Sequence, residues 1–314
     1  MTAMAIRLSI IIPAHNEGTR LEQGLSRLEP ILDALGRDEV EVIVVDDGSS
    51  DDTGLRASKL LAPLPHSLVI KMEQNGGKGA ALKLGASVAL GREVIIIDAD
   101  TAINPSQMPA LLEALSGHDM AVGSRAINGV IRYDSVLRTV AGSQFNRLVR
   151  HWTKTTIRDT QCGFKAFRLP IIRLFAIFGQ VEGFAFDAEW LYLANRLGLT
   201  IATAQVTWDD VAGSSVSLGR DAWSMLKEIR NIPQTSYRTV VVRVPRGAVD
   251  RDVVATACKQ SRIQGVVLAH QGDLDIVVLP RDGAPGALSI AKVCGGEMGL
   301  MSIDELRGCQ FEAL

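Results

Sequence analysis

The chain has 314 residues, with 33 Lys and Arg against 35 Asp and Glu and 47% apolar side chains, so it can bury a large domain plus a small one, and its net charge singles out no partner, nucleic acid included. No apolar stretch approaches the roughly 20 residues of a spanning helix, and the short run before Pro13 has no cleavage-like site, so neither a transmembrane helix nor a signal peptide is expected. Cys162, Cys258, Cys294 and Cys309 show neither CxxC spacing nor paired histidines, which argues against a zinc site or a disulfide framework and fits a reducing cytoplasm.

Leu8 to Ile12 reads as a strand ending in Pro13-Ala14-His15-Asn16-Glu17-Gly18, after which Leu21, Leu25, Leu28, Ile31, Leu32 and Leu35 recur at helical spacing. Val40 to Val45 is a second strand; Asp46-Asp47-Gly48-Ser49-Ser50-Asp51-Asp52-Thr53 turns it into a short helix that Pro63 and Pro65 stop. A third strand, Leu68 to Met72, leads to Asn75-Gly76-Gly77-Lys78-Gly79 and a helix from Ala80 to Leu90. Val94 to Ile97 is an unbroken apolar run, as in a strand covered on both faces. Strict strand–helix alternation predicts an α/β fold with a wound, mainly parallel sheet, and such sheets bind ligands in the loops at their strand carboxyl ends.

Those loops carry matching chemistry. Asp98-Ala99-Asp100 ends the fourth strand, and two carboxylates two positions apart project the same way from an extended chain and repel unless a cation intervenes. Asn104 before Pro105 is the better cap for the helix through Leu111, Leu112 and Leu115, which leaves both carboxylates free for a hard divalent cation sharing oxygens with a diphosphate. Lys78 sits in a glycine-rich turn at a helix start, where backbone amides suit phosphate; the turn has neither Walker nor GxGxxG spacing, so it indicates neither an ATPase nor a dehydrogenase. Asp46 either accepts hydrogen bonds from a base or ribose or simply forms its turn. Together these loops describe a nucleotide-diphosphate site.

From Arg125 to Arg173 the chain carries ten Lys or Arg against Asp134 and Asp159, a concentration of positive charge that fits a solvated face, an anionic substrate or a membrane surface. Within it, Ser135 to Trp152 reads as a helix with an apolar arc through Leu137, Phe145, Val149 and Trp152, and Arg138 falls inside that arc. An arginine so placed must snorkel along its stem or meet an anion, either a structural carboxylate or a ligand phosphate bound bidentately, with Arg125 beside it. Leu169 to Phe178 is a second apolar stretch. Asp187, ahead of a helix through Trp190 and Leu193, is either an N-cap or a site carboxylate.

After Asn231 the pattern changes. Ile232 to Ser236 reads as a linker, followed by strand (Thr239–Val244), helix (Asp250–Ser261), two strands (Val266–Ala269, Leu274–Leu279), helix (Leu288–Val293) and a strand near Leu300. This βαββαβ order predicts a small α+β, ferredoxin-like module. Two domains are expected, 1–231 and 238–314. Every loop assigned to the site lies in the first, and the module, which has no catalytic cluster, is expected to serve assembly into a homo-oligomer or regulation.

PAHNE, VIVVDDGSSDDT, NGGKGAALKLG and DAD, in this order, resemble the inverting family-2 glycosyltransferases of the GT-A fold. Gly123-Ser124-Arg125, RDTQCGFK (158–165), FAFDAE (184–189) and WDDVAGS (208–214) resemble the dolichyl-phosphate glucosyltransferase branch, whose members move glucose from UDP-glucose to a polyprenyl phosphate. The resemblance runs from about Arg7 to Asn231. It implies a nucleotide-sugar donor held by Pro13, Ala14, Glu17, Asp46, Lys78, Asp98, Ala99 and Asp100, and Mg2+ or Mn2+ on Asp98 and Asp100. It implies an acceptor phosphate met by Arg125, Arg138 and Gln161 at the membrane surface, and a catalytic role for Asp187. In the wider family a carboxylate near Asp187 is the base; a phosphate acceptor needs none, so Asp187 orients for a phosphate and deprotonates for a hydroxyl. The expectation is a cytoplasmic enzyme, peripheral on the inner face of the membrane. A transferase with a soluble hydroxyl or phosphate acceptor, and a non-catalytic nucleotide-sugar sensor, are the alternatives.

Overall fold

The computed structural model describes residues 6–126, 136–207 and 220–314, the side chains of residues 136–141, 220–224 and 285 excepted. Seven strands and eight helices form the first part: β1 (Leu8–Ala14), α1 (Gly18–Leu35), β2 (Val40–Asp46), α2 (Thr53–Leu61), β3 (Ser67–Lys71), α3 (Lys78–Val88), β4 (Glu93–Ile96), α4 (Met108–Leu115), β5 (Met120–Ser124), α5 (Val136–Thr153), β6 (Lys165–Arg168), α6 (Leu169–Phe178), α7 (Phe186–Leu197), β7 (Ile201–Gln205) and α8 (Arg220–Asn231). The sheet order is β3-β2-β1-β4-β6-β5-β7. β1 to β4 pair in parallel, as do β5 and β7, and their unbroken apolar runs are covered on both faces: Ile10, Ile11, Val42 to Val45, Val94 and Ile95 are all inaccessible.

Strict alternation fails at one place. β6 runs antiparallel to both β4 and β5, wedged between them. It is four residues long and begins and ends on a cation, Lys165 and Arg168, so the sequence presents no apolar run to mark it. That strand carries Lys165 to the sheet edge where the β4 loop opens.

The C-terminal part has β8 (Arg238–Pro245), α9 (Arg251–Gln260), β9 (Val267–Gln271), β10 (Leu274–Leu279), α10 (Ala284–Cys294), β11 (Glu297–Ser302) and β12 (Gln310–Ala313). The antiparallel order β11-β8-β10-β9-β12 contains the expected ferredoxin-like arrangement, with β12 as an unforeseen fifth strand at the β9 edge. Asp250 caps α9 by accepting Asp252 N and Val253 N.

Alternation along these strands sends side chains to two different cores. Val242, Val244, Leu268, Val277 and Leu279 pack under α9 and α10. Val241, Val267, Ala269, Ile276, Val278 and Met301 instead join the core of the wound sheet, where α6 lies against β8, β9 and β12. Arg173 of α6 is buried there and donates to Leu314 O at 2.8 Å and Ala89 O at 3.0 Å, so it is a structural tie rather than part of a cationic surface. Among the described residues no helix is long and apolar enough to cross a membrane.

A shared core has a measurable consequence. Removing residues from Ser236 onward uncovers the α6 face, and each large apolar side chain lost from contact is worth about 1.5 kcal/mol or more. The shortened chain is expected to melt well below the full chain and to bind a hydrophobic dye in the cold; an equal melting temperature for the two would refute the shared core.

Candidate active site

The carboxyl ends of β1, β2 and β4 form one floor, tied together by side chains. Asn16, in the left-handed region at φ 55°, accepts Ser50 N at 2.9 Å, while Thr53 Oγ1 accepts Glu17 N at 2.9 Å. Pro13 and Ala14 close β1, and Ala14 O takes Asp47 N at 2.8 Å. Ala99 is buried with its carbonyl against Gly24 of α1, where an added Cβ would stand only 2.5 Å away.

Asp98 and Asp100 lie beyond the end of β4 rather than in an extended strand. Thr101 N donates to Asp98 O at 3.0 Å, and Asp100 Oδ1 accepts Ala102 N at 3.1 Å, so the pair is held by a turn and one oxygen of Asp100 is committed to it. Asn104 takes the capping role expected of it, accepting Ser106 N at 2.9 Å. Gly163 backs the turn: a Cβ there would fall 2.4 Å from Asp98 Oδ2.

Lys78, the first residue of α3, sets its Nζ 2.5 Å from Asp98 Oδ1 and 5.7 Å from the Phe186 ring centroid. Burial works against its charge, yet Asp98, Asp187 and Asp100 outweigh it and hold the ammonium above the ordinary lysine value. Burial raises Asp100, and the charge of Asp98 adds to it. Burial also raises Glu17; Arg20 opposes this, while Asp100 and Asp98 reinforce it. Glu17, Asp98 and Asp100 therefore sense one another across the site.

Two expectations need correction. The Gly76 and Gly77 amides expected to cradle phosphate donate instead to the Asp47 carboxylate, at 2.6 and 2.9 Å. Asp46 is wholly enclosed: Oδ1 accepts Ser49 N at 2.8 Å and Oδ2 has no partner among the described residues, so of its two open roles the structure shows the turn. The residue that orders the glycine turn is Asp47, which the sequence reading passed over.

The acceptor side is likewise altered. Arg125 makes a bidentate pair with the buried Asp159 (Nε–Oδ2 and Nη2–Oδ1 both 2.8 Å), so its fork is spoken for. It still lines one pocket with Asp98, Asp100, Gly163 and Gln161. Gln161 Nε2 is buried there without a hydrogen-bond partner among the described residues. Asn146 of α5 steadies this loop by accepting Thr160 N at 3.1 Å and Thr160 Oγ1 at 2.7 Å. The Arg138 side chain and residues 208–214 lie outside the described residues.

Asp187 is the second residue of α7 and caps nothing. Its Oδ1 is 2.5 Å from Nζ of the fully buried Lys165, which also donates to Cys162 O. Burial pushes Asp187 above the usual carboxylate range, with Lys165 and Lys78 opposing. Among the described residues of the basic segment, then, Lys165 and Arg173 are buried, Arg125 pairs with Asp159, Arg168 pairs with Glu93 at 3.0 Å and Arg150 is half-buried, while Arg147, Lys154 and Arg158 are exposed.

Residues 9–175, more than half of the chain, match the profile described as glycosyl transferase family 2. The chain belongs to that family. It is a glycosyltransferase by that membership. Curated relatives named dolichyl-phosphate beta-glucosyltransferase include those of Drosophila melanogaster (35% identical over 244 residues, 73% of this chain and 74% of the relative) and Dictyostelium discoideum (31% over 241 residues, 72% and 74%). The human one is 35% identical over 226 residues, 67% of this chain and 69% of the relative. Among solved structures, glucosyl-3-phosphoglycerate synthase from Mycobacterium tuberculosis, with UDP, superposes with a TM-score of 0.54 at 22% identity over 77% of this chain and 84% of that one. Its complex with Mn2+, UDP and glucosyl-3-phosphoglycerate gives 0.54 at 20% identity over 89% and 92%. These likenesses establish the fold.

The raised carboxylates give a sign for pH. Glu17 and Asp100 bind protons more readily folded than unfolded, so each lowers stability as pH rises from the ordinary carboxylate range through its raised value. Asp100→Asn keeps an acceptor for Ala102 N and removes one like charge. It is expected to melt higher than the parent at pH 7, with the gain shrinking towards pH 4, in scanning calorimetry without divalent ions; a lower melting temperature at pH 7 would contradict the repulsion.

Proposed function

We propose that the chain transfers glucose from UDP-glucose to a dolichyl or other polyprenyl phosphate, with residues 1–231 as the transferase domain and 238–314 as an accessory one. The observation that carries this reading is the coupled Asp98–Asp100 turn, set against Lys78 and opening on the same pocket as Gln161 and Arg125. The names of the curated relatives supply the sugar and the lipid, and UDP in the structural relatives supports the nucleotide.

On the donor side, Pro13, Ala14, Glu17, Lys78, Asp98, Ala99 and Asp100 surround the diphosphate, with Asp46 and Asp47 shaping the loops beneath. On the acceptor side, Gln161 Nε2 offers a donor, Arg125 walls the pocket with a guanidinium held in place by Asp159, and Arg138 is proposed as the further phosphate ligand. The residues fit Mg2+ or Mn2+: Asp98 and Asp100 are hard oxygen donors close enough to repel, and among the described residues no third His, Cys, Asp or Glu completes a cage, so diphosphate oxygens and water would fill the remaining positions. Such an ion would neutralise charge on the departing nucleoside diphosphate. Lys78 supplies a second positive charge to the same oxygens.

The acceptor phosphate is anionic at neutral pH and needs no base. Its oxygen bonds to the anomeric carbon as the bond from that carbon to the diphosphate oxygen breaks, in one inverting displacement. Asp187, ion-paired to Lys165, then serves to fix Lys165 and Lys78 rather than to accept a proton. The exposed Arg147, Lys154 and Arg158, with the half-exposed Leu148 beside them, suit a peripheral position on an anionic membrane.

Radiolabelled UDP-glucose, vesicles containing dolichyl phosphate and extraction into organic solvent test this directly. Extractable product is expected in the presence of Mg2+ or Mn2+, and Asp98→Asn should lower it about 100-fold or more. Label appearing only in a water-soluble product selects the soluble-acceptor reading; binding without any turnover selects a sensor.

The membrane position has its own check. Cosedimentation with anionic vesicles should exceed that with neutral ones and fall as salt shortens the Debye length below about 10 Å. Equal binding to both would remove the electrostatic part of the reading.

A further inference from the structure

The loop between α6 and α7 is gripped from two sides. Towards the site, Glu182 O accepts Ala80 N at 3.1 Å, and Lys83 Nζ reaches Gly179 O at 3.4 Å. A Cβ on Gly77 would stand 2.5 Å from Glu182 O, and one on Gly79 would stand 2.7 Å from Val181 O. Lys78 lies between these two glycines, so its backbone is seated directly on the loop.

Away from the site, the same loop meets the entrance to β8. Glu189 of α7 is fully buried and accepts Gln180 N at 2.9 Å, Val181 N at 3.0 Å and Tyr237 Oη–H at 3.1 Å. Gln180 Nε2 donates to Ser236 O at 2.8 Å. Burial raises Glu189 and Tyr237 alike, as expected for a hydrogen bond that water does not reach. Glu189 and Tyr237 belong to neither the donor side nor the acceptor side.

We propose that Tyr237, acting through Glu189, is a positioning residue for Lys78, so that the segment leading into the C-terminal module supports the donor site. The hydroxyl orients the Glu189 carboxylate, the carboxylate fixes the backbone at 180–182, and that backbone seats the Gly77-Lys78-Gly79 turn. The inference rests on the reading of Lys78 as a donor-diphosphate ligand. It runs against the expectation that residues before Asn231 hold the site unaided.

The test uses the full chain and the variants Tyr237→Phe, Lys78→Met and the double variant, with UDP-glucose kinetics and calorimetric UDP-glucose binding. Tyr237→Phe is expected to raise the donor KM about three- to tenfold, the net worth of one hydrogen bond, with the acceptor KM unmoved. In the Lys78→Met background the same change should add nothing, because the two act in series. A merely architectural tyrosine would lower the active fraction, and so kcat, with both KM values intact; that result overturns the proposal. Gln180→Ala, at an exposed position, loosens the neighbouring tie and should shift donor KM in the same direction; an unmoved donor KM there also overturns it, even should Tyr237→Phe prove insoluble. If Lys78→Met leaves UDP-glucose binding unchanged, the donor-site reading fails and this inference with it. If Lys78→Met weakens binding and Tyr237→Phe does not, only this inference fails.

Discussion

The contact between Lys78 and Asp98 is the constraint around which the site is arranged. Four carboxylates, those of Glu17, Asp98, Asp100 and Asp187, act on one another in a partly enclosed space, and Lys78, Lys165 and Arg20 are the cations that oppose them. Charges brought this far out of water persist only where they are paired, because desolvation costs several kcal/mol per ion. Lys78 meets that need for Asp98, Lys165 for Asp187 and Arg20 for Glu17. Among the described residues Asp100 has a backbone amide but no ion pair, Lys78 and Arg20 opposing its charge from further off, and the surplus negative charge collects there.

Holding those charges in register requires stiff supports, and the fold provides them from beneath. Phe167 of β6, Phe175 of α6 and Phe186 and Trp190 of α7 pack ring against ring, with centroids 5.2–6.0 Å apart. This cluster fixes the strand that carries Lys165 to the helix that carries Asp187. Phe186 also faces the Lys78 ammonium, so one aromatic unit locates both lysines of the site. Close-packed rings leave little room for either element to slide.

What the sequence made legible is what local pattern encodes. The apolar runs of β1, β2 and β4, the cap at Asn104 and the βαββαβ succession follow from residues within one or two turns of each other, and the motifs after β1, β2 and β4 mark the loops that gather at one edge. The remainder depends on partners far apart in the chain. Asp47 binds amides 29 and 30 residues away, and Asp159 holds an arginine 34 residues away; neither separation has a periodic signature. Lys165 looked like one cation among ten in a basic segment, and only the reversed β6 strand shows that it is buried. Tyr237 falls between the linker and the first strand of the module with no role assigned, because nothing near it in sequence reveals Glu189.

The charge count also bears on what the site can accept. On the proposed reading, a nucleoside diphosphate and a lipid phosphate, both anions, would have to meet beside carboxylates already in surplus. Arg125 is balanced by Asp159 and Lys165 by Asp187, so neither adds much net attraction even though both wall the site. Among the described residues Lys78 brings little charge for two phosphorylated ligands, since part of it is spent on Asp98. A hard divalent cation at Asp98 and Asp100 would release Lys78 towards the diphosphate and offset both the burial and the Asp98 charge that raise Asp100. On this account the acidic turn, destabilising by itself, is what makes the site ready for a cation and an anion together, and its strain is a condition of the chemistry rather than a flaw in the fold.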